Sequence, residues 1–345
     1  MSCEACPDPQ DDWIMNQDID RVLVTGAGGF VGRRLCQMLS DMGYKLRVLV
    51  RNDRYEEFFR LHNAEICTGD ITDPEVPEWI MDGVCGVFHL ASIVQEAGIP
   101  DAEFWDANYT ATRRLLKAAV KNKVKKFVHC STIGVMGHIA NPPADEDAPL
   151  RAEDIYQITK AEGEKIALAY NGVGGMDVTV VRPSAIYGPG DTRLYKLFKM
   201  VAQEKFRMVG SGKTLIHPVY IDDLVPGMIL AMESAKSAGR VYILGGEKAV
   251  TLNEWVAMIS AETRGAVPKL HIPYLPVKLM AMLCEDICKP LRIEPPLFRR
   301  RVDFFVKNRA FSIARARAEL GYEPKIGLRD GVHRTVAWYK KHGWI

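Results

Sequence analysis

A doubly wound parallel sheet of the α/β class, followed by a smaller C-terminal α/β lobe, is the architecture that three features of this 345-residue sequence indicate. From Arg21 onward, short β-branched runs alternate with longer amphipathic segments, the pattern of a parallel sheet covered by helices on both faces. The first run passes into a glycine-rich turn and then directly into a helical segment. After about Gly188 the alternation gives way to frequent Pro and Gly, as expected of a separate lobe packed on the first.

Taken in chain order, the strand-like runs are 21–25, 46–50, 64–67, 86–90, 126–130 and 178–182. The helical patterns between them cover 31–42, 107–121 and 156–170, each with apolar residues recurring every three or four positions. Beyond Gly188 the sequence predicts an isolated strand at 241–244 and helices at 253–263 and 277–288. The stripe in the last of these reads as core packing, with a Met-rich surface for an apolar ligand as the alternative. No internal repeat or low-complexity tract is evident. Residues 1–20 form an acidic tail, expected to be disordered; it carries Glu4, Asp8, Asp11, Asp12, Asp18 and Asp20 and no Lys or Arg. A secretory or mitochondrial leader needs a basic start, so a cytoplasmic protein is expected.

Composition narrows the classes. There are 45 Lys+Arg and 43 Asp+Glu, a net charge of +2, which gives no electrostatic footprint for nucleic acid. No apolar stretch approaches the roughly 20 residues that span a bilayer. The basic cluster Phe298-Arg299-Arg300-Arg301 suits a solvated loop, with an anionic substrate or a peripheral membrane contact as alternatives. Eight cysteines in so long a chain are not a disulfide framework. Cys36, Cys67, Cys85 and Cys130 sit in apolar-periodic stretches, Cys284 and Cys288 lie one helical turn apart, and the Cys3/Cys6 pair lacks the four ligands of a structural zinc site. No metal is expected.

The strongest local signal is Thr25-Gly26-Ala27-Gly28-Gly29-Phe30-Val31-Gly32 between the first strand and first helix. Gly26 permits a tight turn, Gly29 lets backbone approach a pyrophosphate, and Gly32 lets helix pack on strand. The helix amino terminus then offers N–H donors to the phosphates, which assigns Phe30 and Val31 to the same dinucleotide site. The second strand ends Val50-Arg51-Asn52-Asp53-Arg54. Where an NAD site usually places a carboxylate for the ribose 2′-hydroxyl, this chain has Arg51, with Arg54 behind it. Two guanidiniums suit the 2′-phosphate of NADP, and Asp53 serving NAD is the alternative. Asp70, with Ile71 beside it, follows the third strand and is placed to meet the adenine.

Tyr156-Gln157-Ile158-Thr159-Lys160 puts a phenol and an ammonium on one helical face, with Cys130-Ser131-Thr132 ending a strand upstream. The ammonium favours phenolate, which brings Tyr156 toward working pH as a general acid/base for a carbonyl or alcohol. A strand-end hydroxyl orients the same oxygen.

Together these motifs resemble the extended short-chain dehydrogenases/reductases, of the NAD-dependent epimerase/dehydratase or 3β-hydroxysteroid dehydrogenase-like kind. The resemblance runs from Arg21 to the C-terminus and rests on 25–32, 69–73, His89-Leu90-Ala91-Ser92, Asn108, 131–137, 156–160, Arg182-Pro183-Ser184, Tyr187-Gly188-Pro189-Gly190 and Tyr220-Ile221-Asp222-Asp223. It implies a Rossmann-type dinucleotide-binding domain over 21–187 and a mainly substrate-binding lobe over 188–345, some segments of which return to the first domain. It places Thr132, with Ser131 next to it, at the catalytic hydroxyl. It also implies that Leu90, Ala91 and Ser92 border the cofactor, that Asn108 supports the active-site helix, and that Pro183 to Ile186 cover the nicotinamide. A homodimer through helices 107–121 and 156–170 is implied as well.

Two departures bear on the reaction. Nucleotide-sugar epimerases of the family commonly carry an Arg four residues before the Tyr220 position, and here it is Ile216. Its dehydratases carry an Asp-Glu pair after the catalytic Thr, and here Ile133-Gly134 follow. Arg193 leaves a sugar nucleotide open. The sequence thus predicts an NADP-preferring, or else NAD-dependent, oxidoreductase of a secondary alcohol or ketone, with a hydrophobic, steroid-like substrate. A nucleotide-sugar epimerase with retained cofactor and a non-catalytic cofactor-binding sensor are the alternatives.

Overall fold

The computed structural model describes residues 20–94, 98–268, 270–291, 297 and 302–345. Seven strands form one sheet: β1 (Arg21–Thr25), β2 (Lys45–Val50), β3 (Glu65–Thr68), β4 (Gly86–His89), β5 (Lys126–Cys130), β6 (Asp177–Pro183) and β11 (Val241–Leu244). They run parallel in the order β11-β6-β5-β4-β1-β2-β3. The strand order reverses between β1 and β4, and a ligand crevice opens at such a switch point, outside the carboxyl ends of the strands. The expected isolated strand at 241–244 is therefore the edge of this sheet, its residues Val241 to Leu244 paired with Val180 to Pro183. Short range and a Pro/Gly-rich neighbourhood hid a non-local pairing. The third strand lies one residue later than the sequence pattern placed it.

Strand residues alternate between two cores, as the two-residue period of a strand requires. Val22, Val24, Val48, Phe88 and Val128 face α1 (Phe30–Asp41) and α8 (Ile221–Glu233), packing on Leu35, Leu39, Leu224 and Met228. Leu23, Leu49, Val87 and Phe127 face the opposite layer, where α5 (Ala111–Lys121) contributes Leu115 and Leu116 and α6 (Ile155–Ala169) contributes Ala167. The helical pattern at 107–121 divides into a single π turn, Asp106–Thr110, and α5. π turns of this kind gather at functional sites.

The remaining elements build a cap around Trp255 of α9 (Leu252–Thr263), a fully buried ring that meets Tyr187 and Phe198 edge-on. Three two-stranded ladders complete it: β7 (Ala185–Tyr187) with β10 (Pro218–Tyr220), β9 (Leu215–Ile216) with β12 (Val250–Thr251), and β8 (Met208–Val209) with β13 (His271–Ile272). Helix α10 (Tyr274–Leu291) is longer than the stripe that predicts it. Its core-packing reading holds on one side only, where Val277 and Ala281 pack with Val209 and Val302. Leu275, Leu279, Met280, Leu283 and Ile287 point outward, each 57–68% exposed. No described helix is long and apolar enough to cross a membrane. The Phe298–Arg301 cluster and the Cys3/Cys6 tail lie outside the described residues.

Candidate active site

The glycine turn is shaped by contacts that side chains would prevent. Gly26 has φ +70°, and a Cβ there would lie 2.7 Å from the amide nitrogen of Ala91. A Cβ on Gly32 would lie 2.3 Å from the carbonyl oxygen of Gly26. Gly29 caps α1 with no side-chain hydrogen bond, and the first turn carries no acidic residue. The amides of Phe30, Val31 and Gly32 are thus left to an external anion, reinforced by the helix dipole. This cradle fits a dinucleotide pyrophosphate.

At the end of β2, Arg51 and Arg54 are exposed, and nothing among the described residues holds Arg51. The sequence reading missed two members of this cluster. Arg33 on α1 donates to the carbonyl of Gly28 (2.6 Å) and lies 4.3 Å from the ring centroid of Tyr55, while Arg54 lies 5.3 Å from the same ring. Asp70 accepts from the amide and hydroxyl of Thr72 (2.9 and 2.8 Å), which closes the turn after β3 and leaves its second oxygen open; Ile71 beside it is buried.

The segment after β4 is pinned from beneath. The Ala91 amide donates to the Thr25 hydroxyl (3.2 Å), and His89 is hydrogen-bonded to Thr25 (2.8 Å) and Thr112 (2.9 Å). Burial, with the Lys160 charge adding to it, lowers the His89 pKa to about 3. Asn108 sits in the π turn, and its amide is spent on Ile93 and Thr159. It accepts from the Ile93 amide (2.9 Å) and donates to the Ile93 carbonyl (3.1 Å) and the Thr159 hydroxyl (3.1 Å). That fixes the Leu90-Ala91-Ser92 stretch against α6. Close approach is possible because position 163 is glycine: a Cβ there would lie 2.5 Å from the Asn108 carbonyl oxygen.

Helix α6 begins at Asp154, whose carboxylate accepts from the Gln157 amide (3.0 Å), so Tyr156 lies in the first turn and is buried. Lys160, also buried, donates to the carbonyl of Cys130 at the end of β5 (2.6 Å). Burial pushes its pKa down from the ordinary lysine range, against the pull of Cys130 and Glu164. Thr132 accepts from the Gly134 amide (3.1 Å), which leaves its hydroxyl proton to donate. Ser131 is placed differently: its hydroxyl donates to Glu164 (2.7 Å), so the orienting hydroxyl that remains is Thr132. Pro183 ends β6 and is followed by Ser184, whose buried hydroxyl has no partner among the described residues, and by half-buried Ile186 on β7. Ile133 and Gly134 form a 3-10 turn with no acid/base pair, and Ile216 is buried in the β9–β12 ladder. Among the described residues no cluster could hold a metal ion.

A glycine cradle at the switch point of a parallel sheet, with a Tyr–Lys pair on α6 and a Thr just past the end of β5, defines an enzyme that works through a nicotinamide dinucleotide. The comparisons agree: residues 22–245 match the NAD dependent epimerase/dehydratase family, and the chain belongs to that family, the extended short-chain dehydrogenases/reductases. It is 30% identical to a 3β-hydroxysteroid dehydrogenase/Δ5→4-isomerase of Mycobacterium tuberculosis, over 95% of this chain and 92% of that protein. It is 31% identical to a 4-hydroxy-2-methyl-3-oxo-4-farnesyl-3,4-dihydroquinoline-1-oxide ketoreductase of Stigmatella aurantiaca, over 90% and 94%. Among solved structures, gox2253 superposes with a TM-score of 0.80 at 30% identity, over 94% of this chain and 99% of that one. A UDP-glucuronic acid 4-epimerase from Bacillus cereus in complex with NAD shares the fold, with a TM-score of 0.76 at 22% identity, over 93% and 99%.

Proposed function

We propose that this protein is a nicotinamide-dependent oxidoreductase that interconverts a secondary alcohol and a ketone on a large hydrophobic substrate. The observation that carries the reading is the assembly at the end of β5: Lys160 bonded to the Cys130 carbonyl, Tyr156 one turn before it, and Thr132 two residues further along the chain. The nicotinamide, when bound, supplies or accepts the hydride. Thr132 donates a hydrogen bond to the substrate oxygen. Tyr156 gives that oxygen a proton in reduction and takes it in oxidation, with the amino end of α6 and the Lys160 ammonium favouring its phenolate form. Lys160 also holds the nicotinamide ribose. Gly26 to Gly32 hold the pyrophosphate, Asp70 and Ile71 the adenine, and Leu90 to Ser92 with Pro183 to Ile186 the nicotinamide side.

Several observations support the finer parts. The relatives named as a hydroxysteroid dehydrogenase and as a ketoreductase of a farnesylated quinoline act by those names on apolar alcohols or ketones. The outward row on α10 gives the substrate lobe an apolar surface suited to such a substrate. Arg33 and Arg54 on the Tyr55 ring, with Arg51 exposed at the end of β2 beside them in sequence, support NADP as the preferred cofactor. Partly exposed Trp105, just before the π turn that leads into α5, and Ile158 on α6 support a homodimer through those helices. The test is absorbance at the reduced-nicotinamide band with steroids, other hydrophobic ketones and sugar nucleotides, each with NADP and NAD. Net cofactor oxidation or reduction with an apolar substrate is expected. Conversion of a sugar nucleotide without net change would make it an epimerase, and cofactor binding without turnover would make it a sensor.

A further inference from the structure

One turn beyond Lys160 stands a buried acid that the chemistry above does not use. Glu164 accepts from the Ser131 hydroxyl (2.7 Å), from Arg182 Nε (3.1 Å) and from Arg182 Nη2 (2.5 Å). Both members of the Glu164–Arg182 pair are almost fully buried. Arg182 Nη1 also donates to the carbonyl of Glu146 (3.1 Å), and the Glu146 carboxylate accepts from the Ile243 amide of β11 (2.9 Å). The three hydrogen bonds of Glu164 go to two residues, each next to a working one, and a third working residue shares its helix. Ser131 precedes Thr132, Arg182 precedes Pro183, and Lys160 is its own neighbour one turn back.

We propose that Glu164 is a positioning residue for the reaction: it fixes the strand end that carries Thr132 and supplies the counter-charge that keeps the buried Lys160 an ammonium beside Tyr156. The proposal rests on the oxidoreductase reading of those three residues. A buried ion pair is weak evidence for stability as such, because desolvation offsets its attraction. Its placement is the stronger argument. Lys160 and Arg182 put two positive charges in one buried region, Glu164 returns one negative charge, and a Tyr156 phenolate would bring the sum to zero. The other titratable groups there supply no substitute. His89 on β4 and His129 on β5 are held neutral by burial, which also keeps the Cys130 thiol protonated. Glu146 faces Arg182 and Arg315, and Asp154, at the amino end of α6 two residues before Tyr156, faces Arg309. The π turn presents the uncharged Asn108 to the helix.

Glu164→Gln keeps the shape and an acceptor for Ser131 and Arg182 Nε, removes the charge, and replaces the acceptor facing Arg182 Nη2 by an amide NH2 group. Without the negative charge both the ammonium and the phenol should lose their protons more readily. The kcat/KM profile for alcohol oxidation should therefore move to lower pH on both limbs, by about one unit, the scale on which a charge a few ångströms away acts. kcat should fall at neutral pH while the dissociation constant for the cofactor changes little, and Glu164→Asp should return the profile to its wild-type position. A profile that stays in place while only the melting temperature falls would show a purely structural pair and overturn the proposal. If Glu164→Gln does not fold, Ser131→Ala decides: a roughly tenfold loss of kcat with unchanged cofactor affinity is expected, and an unchanged kcat overturns the assignment. Wild-type protein that turns over no substrate with either cofactor would instead remove the oxidoreductase reading, and the role of Glu164 with it.

Discussion

Tyr156 and Lys160 sit one helical turn apart, yet their surroundings give them different tasks. The phenol lies in the first turn of α6, where the helix dipole favours an anion, whereas the ammonium is tied to a strand-end carbonyl. Tyr156→Phe should abolish turnover and leave cofactor affinity nearly intact, because the ring still packs but the proton donor is gone. General acid catalysis contributes roughly 10²–10⁴-fold, so activity within tenfold of wild type in a steady-state assay would sink the assignment. Arg51 offers a second single-residue test. A charge-assisted hydrogen bond contributes about 1.5–3 kcal/mol, so Arg51→Ala should weaken NADP binding by tenfold or more and leave NAD almost unchanged. Paired fluorescence titrations check it; equal losses for both cofactors would make Arg51 an adenine contact and end the case for NADP. At this scale the sequence was legible wherever chemistry and spacing coincide, as in Tyr156–Lys160 and the glycine turn. Arg33 escaped because it is not next to Arg51 in sequence and joins the cluster only through Tyr55. Glu164 carried a readable signal, an acid four residues after Lys160, but its partner Arg182 is brought to it by the sheet.

Elements explain why some motif residues are better read as joints than as catalysts. The Tyr220-Ile221-Asp222-Asp223 motif opens α8. Asp222 bonds Arg34 on α1 (2.6 Å), and Asp223 accepts from the amides of Lys325 (2.8 Å) and Ile326 (3.1 Å). The pair thereby joins α1, α8 and the C-terminal segment ahead of the helix Leu328–Lys341. Asp223→Ala strands two amides and should lower stability by about 1–3 kcal/mol. kcat should stay within a few-fold of wild type, as measured by thermal unfolding and kinetics on the same preparation. A large fall in kcat at unchanged stability would place Asp223 in the chemistry. The same scale shows where pattern reading stopped. Strands of the sheet announce themselves by β-branched runs in regular alternation with helices, whereas 241–244 stands outside that alternation and nothing local reveals that it pairs with β6. The stripe at 277–288 marked the helix correctly but not its solvent side, because a core face and an unpartnered apolar face have the same periodicity.

Across the whole molecule, the near-balanced charge of the sequence conceals a concentration of buried titratable groups under the site. His89 and His129 lie side by side on β4 and β5, ring centroids 5.4 Å apart, and both are fully buried. His89 is hydrogen-bonded at both nitrogens, whereas neither nitrogen of His129 has a partner among the described residues. Burial holds the His129 pKa well below its ordinary 6.5, with the charge of Lys160 acting in the same direction. In the folded state His129 therefore stays neutral in mild acid, while in the unfolded chain it takes up a proton as pH falls through 6.5. The unfolded state then binds more protons, so stability is fully present above that pH and declines below it. Between pH 7.5 and pH 5, at 1.36 kcal/mol per unit, His129 alone should cost about 2 kcal/mol. Glu146, Asp191, Asp223 and Glu233, whose pKa values burial raises, act in the opposite sense in acid, so a single-site comparison is needed to isolate the histidine. His129→Leu removes the proton uptake and two unpaired polar atoms without charging the site. Its stability relative to wild type, from urea unfolding, should improve by about 2 kcal/mol more at pH 5 than at pH 7.5. An equal difference at both values would mean that His129 takes up its proton without unfolding, and that the floor of the site is not the dry, neutral layer described above.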